Sequence, residues 1–466
     1  MARIIVVGAG MAGLAAAARL ATRDNSVLVC EASQGVGGAL GSWRHGDLVF
    51  DTGAHTLTLP AVYRDLFIKT GSRKKSAAAT LEDRVDLRPL DPVRRYVFPD
   101  GTRLDVPNAS RGRLLAAFDE ALGRGAGEAW LRVIDHGSRV WDAIRPTLVE
   151  APGSGGRELA RLLRTAAGRR ALTPLRSLRG LAGGWFSGVD PRLYLMLDDY
   201  ARQAGADPEH APAVLAARPY VEHAFGAWRI VGGMHTLAEA LRQRVLDRGA
   251  EIRCGARVVR IERSASGAVS GVLLEGGERL AADVVVAGID QAVVARLVGG
   301  TAPKVAYSPS VTTLCVEVED PPELPHETVL LDELGAALRI HVAAEQPSAW
   351  TVHAPGDQDP EAVLATLAAR GFEVRDRIHV QHTITVADRE ATTGVPGGAA
   401  YGPAANGLRA ALLRSQIAHS VPGLFQVGAS ARPGSGLPFA ALGGWQAAEL
   451  IKVRVKAEAA SSDGGG

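Results

Sequence analysis

Cysteine is scarce in this chain. Among 466 residues there are three, Cys30, Cys254 and Cys315. They are far apart, odd in number and set in strand-like sequence. That excludes a disulfide framework and any thiolate metal knuckle, which needs closely spaced pairs. They read as small buried hydrophobes in a reducing, cytoplasmic setting. Charge of one sign is also missing, because 52 Lys and Arg meet 50 Asp and Glu for a formal net charge of +2. A bulk electrostatic hold on nucleic acid is therefore excluded. Long hydrophobic runs are lacking too. The uncharged stretch 4–18 falls short of the roughly 20 apolar residues a membrane span needs. Its glycines also mark it as something other than a signal peptide. Aromatic residues make up 5% of the chain. What is plentiful is aliphatic material: hydrophobic residues make up 47%, ample for a core. The length suggests about three units of ~150 residues.

The most informative stretch is RIIVVGAGMAGLAAAARLATRDNSVLVCEASQGVGG, residues 3–38. Ile4–Val7 reads as a buried strand, Leu14–Leu20 as helix and Val27–Val29 as a second strand closed by Glu31. Between the first strand and the helix lies Gly8-Ala9-Gly10-Met11-Ala12-Gly13. This is the context in which G-x-G-x-x-G carries a dinucleotide. Gly8 permits the tight turn, Gly10 lets a pyrophosphate approach the backbone, and Gly13 lets the helix pack on the sheet. The helix N-terminus, with Met11 and Ala12, presents free N–H groups to the phosphates. Glu31 is placed to accept hydrogen bonds from a ribose diol. A second Gly-rich loop, Gly35–Gly41, should lie over the same cofactor and includes Gly37 and Gly38. No other G-x-G-x-x-G follows a strand, so one bound nucleotide and no stably docked NAD(P) are expected.

The rest of the chain alternates in character. Tyr96–Leu104 holds a Pro-Asp-Gly turn between strand-like arms. Residues 110–205 are mostly helical. Arg157–Arg179 carries seven arginines against one acid, Glu158. This reads either as a basic amphipathic helix on an anionic membrane surface or as the solvated face of a core-packing helix. Val221–Ile230 alternates like a strand, and Leu237–Arg248 is helical. Glu251–Ile261 and Val269–Ala287 are strands, as are Val311–Val318, Ile378–Val386 and Gly423–Val427. Ala440–Lys452 is a closing helix. An α/β organisation with interleaved domains follows. A Rossmann-type dinucleotide-binding domain takes 1–70, 225–300 and 395–456. A mixed α+β substrate domain with a helical lobe takes 71–224 and 301–394. Residues 457–466 read as a disordered tail.

Four places give the chain a family resemblance. They are GAGMAGLAAAARL…VLVCEASQGVGG, FSGVDPRLYLMLDDYARQAGADPEHAP (186–212), FGAWRIVGGMHTLAEAL (225–241) and GLFQVGASARPGSGLPFAALGG (423–444). Together the chain resembles the flavin-dependent amine oxidase and phytoene desaturase superfamily, and most of all its carotenoid desaturase branch. The resemblance implies FAD as sole redox cofactor. It would place Gly8, Gly10 and Gly13 on the pyrophosphate, Glu31 on the adenosine ribose and the Val258 backbone at the adenine. Gly428, Ala429, Gly436 and Leu437 would lie along the ribityl chain and flavin ring. Two positions depart from the pattern. Ala39 stands where the family usually has Arg, with Arg44 as an available replacement. Ala54-His55 occupies a loop that often holds Gly-Pro. His55 is accordingly the candidate catalytic residue, with a buried structural histidine as the plainer reading.

A flavin accepting hydride from an unactivated CH–CH unit needs alignment and a dry channel more than a triad. No triad is visible. His55, His235, His326, His353 and Glu222 are too spread out to suggest a metal or nucleophile, and no metal is expected. Three functions stay open. The first is a desaturase of a hydrophobic, polyene-like small molecule. The second is a flavin oxidase or redox-neutral isomerase of another metabolite. The third is a non-enzymatic lipid carrier on the same fold.

Overall fold

A computed structural model describes residues 2–21, 25–71, 80–152 and 155–463, with side chains described up to Arg454. Its first sheet is parallel throughout. Five strands run in the order Leu424–Gln426, Val284–Ala287, Arg3–Val7, Ser26–Cys30, Glu251–Arg253. Val6 sits between Val286 and Val29 in register. Strands of this kind are apolar on both faces because helices cover both. The first helix, Met11–Leu20, lies between the sheet and the last helix, Leu437–Asp463. Its alanines are what closeness demands. A Cβ on Gly444 would fall 2.6 Å from the Ala16 nitrogen and 2.9 Å from the Ala15 Cβ. The last helix runs through Asp463, into the segment read as a disordered tail. Residues 464–466 lie outside the described residues.

The second sheet has seven strands, in the order Ile378–Ile384, Val311–Val318, Gln346–Pro355, Ala337–Ala343, Glu327–Leu331, Arg94–Val97, Arg103–Val106. Only Glu327–Leu331 and Arg94–Val97 pair in parallel. Alternation divides its faces. Leu314, Val316, Ile340, Trp350 and Val352 pack on helix Pro360–Ala369 through Val363, Leu364 and Leu367. The other face carries the polar Thr313, Glu327, Arg339, His341, Thr351 and His353 together with Cys315, Val329 and Leu331. A helical lobe, from Arg111–Leu122 through Ala217–Phe225, has its own core around Phe118, Trp130, Phe186 and Tyr200.

Two sequence expectations change here. The Arg157–Arg179 segment is three helices in part, Gly155–Arg164, Ala166–Leu172 and the start of Leu178–Phe186. Thr165 caps the second by accepting from the Gly168 N–H, and Thr173 leaves it with positive φ before Pro174. Val221–Ile230 is not one strand. Helix Ala217–Phe225 buries Val221 beside Trp141, Gly226 ends it at φ 75°, and only Trp228–Ile230 is extended. Packing outweighs local alternation there.

The lobe is fastened to the second sheet by a buried ion cluster. Arg94 donates to Glu327 (3.0 Å) and Glu222 (2.5 Å). Arg339 donates to Glu327 and Asp199. Tyr96 donates to Asp199 (2.9 Å) and Tyr200 to Glu222 (2.5 Å). Burial pushes the Glu327 carboxyl up, but Arg94 and Arg339 outweigh it and hold the group at about 2. A folded-state value below the ordinary 4.5 means that this contribution is present above pH 4.5. It is lost as pH falls from there toward 2. Removing one partner strands buried charge, so Glu327→Leu is expected to lower unfolding free energy by about 3–5 kcal/mol, read from denaturant midpoints. The acid loss between pH 4.5 and 2 should be shallower in the same variant.

Candidate cofactor and active site

The carboxyl ends of the parallel strands supply one cluster of loops, as doubly wound sheets require of a binding crevice. Gly8 has φ 94°, and a Cβ there would meet Ile289 at 2.9 Å and the Gly288 carbonyl at 3.1 Å. Gly13 is tighter still, with its Cβ position 2.1 Å from the Gly8 carbonyl. Gly10 is different. Its backbone is ordinary (φ −69°), and the first atom a Cβ would meet is the Gly38 Cα at 4.0 Å. The space beside Gly10 is therefore open, while the N–H groups of Met11, Ala12 and Gly13 in the first helical turn have no acceptor within the helix. An anionic group fits there on both counts.

The second Gly-rich loop closes over the first. The Gly37 N–H donates to the Ala9 carbonyl (2.9 Å), and Gly38 approaches Gly10. Glu31 accepts from the Ala9 N–H (2.6 Å) through one carboxylate oxygen and from the Ser33 N–H (2.8 Å) and hydroxyl (2.9 Å) through the other. Oε2, with Ala9 as its one donor here, has a second lone pair, so a ribose hydroxyl can still be accommodated. Val258 begins the strand Val258–Arg263 and packs with Cys30. Just before it, Ala256 donates to the Glu31 carbonyl (2.8 Å). On the opposite side, Gly428 (φ 103°) has only the Ala12 Cβ near it, at 3.9 Å. Ala429 packs on Gly402, and the Leu437 carbonyl accepts from the Tyr63 hydroxyl (2.8 Å). Gly436 has φ 117° at the start of the last helix. Asp290 ties the cluster together, accepting from Tyr307 (2.6 Å) and Ser430. Arg44 does not stand free as a replacement for Ala39. It reaches His235 Nε2 at 3.2 Å, and His235 Nδ1 is 2.8 Å from Asp51.

Loop 52–55 follows directly. A Cβ on Gly53 would be 2.0 Å from the Ala39 carbonyl, and the Thr52 N–H donates to Gly41 (2.9 Å). His55 is buried. Its Nε2 lies 3.2 Å from His353 Nε2, and its ring stacks on His341 at 3.8 Å between centroids. His326 spans the carbonyls of His55 (2.9 Å) and Val342 (3.0 Å). Burial pushes His55 down to about 4 and His341 and His353 well below the ordinary imidazole range. Three neutral imidazoles thus meet, their ligand atoms within 4.8 Å of one another. Sequence separation had concealed this grouping. His55 and His353 are 298 residues apart in the chain. His341 was overlooked altogether. Its signal lay in the alternation of Arg339, His341, Thr351 and His353 on two adjacent strands, whose register sets His341 opposite Thr351. His235 and Glu222, by contrast, belong to the Asp51 and Arg94 pairings.

A family profile described as flavin containing amine oxidoreductase matches residues 11–452. The chain belongs to that family. Its members are flavin-containing oxidoreductases, and this chain is one. It is 30% identical to a hydroxyneurosporene desaturase of Cereibacter sphaeroides over 96% of this chain and 97% of that one. It is 26% identical to a 4,4'-diapolycopene oxygenase of a Methylomonas species, over 98% of both. The fold matches a putrescine oxidase crystal structure with TM-score 0.66 at 15% identity, over 97% of this chain and 99% of that one. The resemblance stated from the motifs agrees with all three.

The two inner glycines should fail differently. Gly10→Val is expected to fill the open cradle and abolish the visible flavin band of the purified protein while leaving its melting temperature within a few degrees. Gly13→Val overpacks the helix against the strand turn and should cost about 1–3 kcal/mol or more, read by thermal melt.

Proposed function

We propose that this protein is an FAD-dependent desaturase of a hydrophobic, polyene- or carotenoid-like substrate. One CH–CH unit becomes C=C, and the two hydrogens leave as hydride and proton. The observation that carries this reading is the near-full-length similarity to carotenoid desaturases. Bound flavin supplies the hydride acceptor. The residues of this chain do the rest. Gly8, Gly10, Met11, Ala12 and Gly13 hold the pyrophosphate under Gly37 and Gly38. Glu31 and the Val258 backbone hold the adenosine half, which is what favours FAD over a mononucleotide. Gly428, Ala429, Gly436 and Leu437 line the flavin half. The two sheets and the lobe exclude water, so that hydride transfer competes with no side reaction.

A second reading is favoured by the polar inner face of the seven-stranded sheet. Thr313, Arg339, His341, Thr351 and His353 suit an oxygen-bearing substrate, as in a flavin oxidase or a redox-neutral isomerase acting on a polar metabolite. Anaerobic mixing of the yellow protein with candidate compounds separates the two. A polyene should bleach the flavin and yield a product lighter by two hydrogens. Bleaching by amines alone would overturn the desaturase, and turnover without change of mass would establish the isomerase.

Access to a polyene implies contact with a lipid surface. Among the described residues no helix is long and apolar enough to cross a membrane. Leu175, 99% exposed between Arg170 and Arg176, supports a peripheral contact through 157–179. Leu175→Glu should reduce co-sedimentation with anionic vesicles several-fold, through the lost apolar contact and the added like charge, and with neutral vesicles by a smaller factor.

A further inference from the structure

Positive charge is in excess where the polar sheet face, the lobe and the cofactor loops meet. Arg94 and Arg339 share Asp199, Glu222 and Glu327. Three more guanidiniums belong to the same region, and among the described residues none of them is ion-paired with a carboxylate. Arg218, on the lobe helix Ala217–Phe225, donates to the Gln203 carbonyl. Arg389, on helix Val386–Thr393, donates to the Thr313 hydroxyl (2.6 Å) and the Thr52 carbonyl (3.4 Å). Arg414, 8% exposed, donates to the Pro403 carbonyl. The Nε atoms of Arg389 and Arg414 are buried without a partner. The field of Glu222 also reaches Arg218, yet five guanidiniums still face three carboxylates. The histidines do not add to the excess, because burial keeps His341 and His353 neutral. Buried cations without an anion are costly, and a bound anion removes that cost.

Tyr401 marks where the cations converge. Its side chain is half-buried, and its hydroxyl has no hydrogen-bond partner among the described residues. The fields of Arg218, Arg339 and Arg389 all meet it. A Cβ on Gly205 of the lobe would stand 3.1 Å from the Tyr401 Cβ, and one on the next residue, Gly402, 3.0 Å from the Ala429 Cβ. Tyr401 thus lies between the lobe and the loop assigned to the flavin. We propose that Arg218, Arg389 and Tyr401 bind a carboxylate carried by the substrate. A carboxylate has about four acceptor positions, which suit paired guanidinium N–H groups and one phenol O–H. Arg414, whose field reaches Arg218, adds positive potential from the side of Gly434. The inference rests on the desaturase reading for the remainder of the molecule, which is then an apolar polyene ending in a carboxylic acid.

The test is of binding and needs no turnover. Full-length, flavin-loaded protein is titrated with all-trans-retinoic acid, its methyl ester and retinol, followed by tryptophan fluorescence. The acid should bind at least about 10-fold more tightly than the ester or the alcohol, as charge-assisted hydrogen bonds require. Arg218→Gln and Arg389→Gln should each remove most of that preference with flavin content unchanged. Arg389→Lys should keep part of it, and Tyr401→Phe should reduce it several-fold. Arg113→Gln, at an exposed pair with Asp91, should change nothing. If the unmutated protein binds the acid no more tightly than the other two, or not at all, the proposal is overturned without any variant. It is overturned equally if the preference survives in both Gln variants or, where those do not fold, in Tyr401→Phe. Loss of flavin in place of the preference in Arg389→Gln would overturn it too, by assigning that cation to the cofactor. Failure of polyenes to bleach the flavin removes the desaturase reading and leaves a measured acid preference standing.

Discussion

The structure depends on one close approach. The Cα of Gly13 lies where any larger residue would press a Cβ to within 2.1 Å of the Gly8 carbonyl, and Gly288 crowds the same Cα from the next strand. This contact sets how deep the first helix sits on the sheet. Depth in turn sets where the helix N-terminus points. An N–H group displaced by an ångström no longer meets a phosphate oxygen at hydrogen-bonding distance. The last helix must fit behind the same surface, which is why Gly444 faces Ala15 and Ala16. Small residues at these positions are therefore a single geometric requirement expressed at both ends of the chain.

Around that frame the protein buries an unusual amount of charge. Arg94, Arg339, Asp199, Glu222 and Glu327 sit between the sheet and the lobe, each with at least one oppositely charged partner. Buried ion pairs are weak sources of net stability against an apolar alternative. Their geometry is demanding, however, and a cluster that joins three strands to two helices fixes how those elements meet. An apolar interface of the same area would tolerate sliding. The polar face of the sheet is thus held at a defined distance from the helical lobe.

Much of this was legible in the chain. Residues 3–38 give strand, turn, helix and strand in order, because Gly8, Gly13 and Gly37 each have a local reason. Val311–Val318 was legible as a strand from its β-branched residues. Two segments misled. The spacing of leucines and alanines across 157–179 has helical period, but the caps at Thr165 and the break at Thr173-Pro174 divide it. In 221–230 the alternation is real, yet Val221 gains more by packing beside Trp141 than by joining a sheet. The histidine trio was illegible for a different reason. Its members come from a loop and two strands, and only the hairpin register brings His341 and His353 near each other.

The trio and the cofactor loops also share a wall. Gly37 bonds Ala9, Gly38 touches Gly10, and one residue later the Ala39 carbonyl closes on Gly53. Thr52 is tied to Gly41, and His55 follows within the same turn. Every link in this run is backbone packed on backbone, with glycine at the points of contact. Such a run has little room to yield, since each shift creates a clash rather than a gap. Residues 37–55 therefore link the open space beside Gly10 to the loop that carries His55.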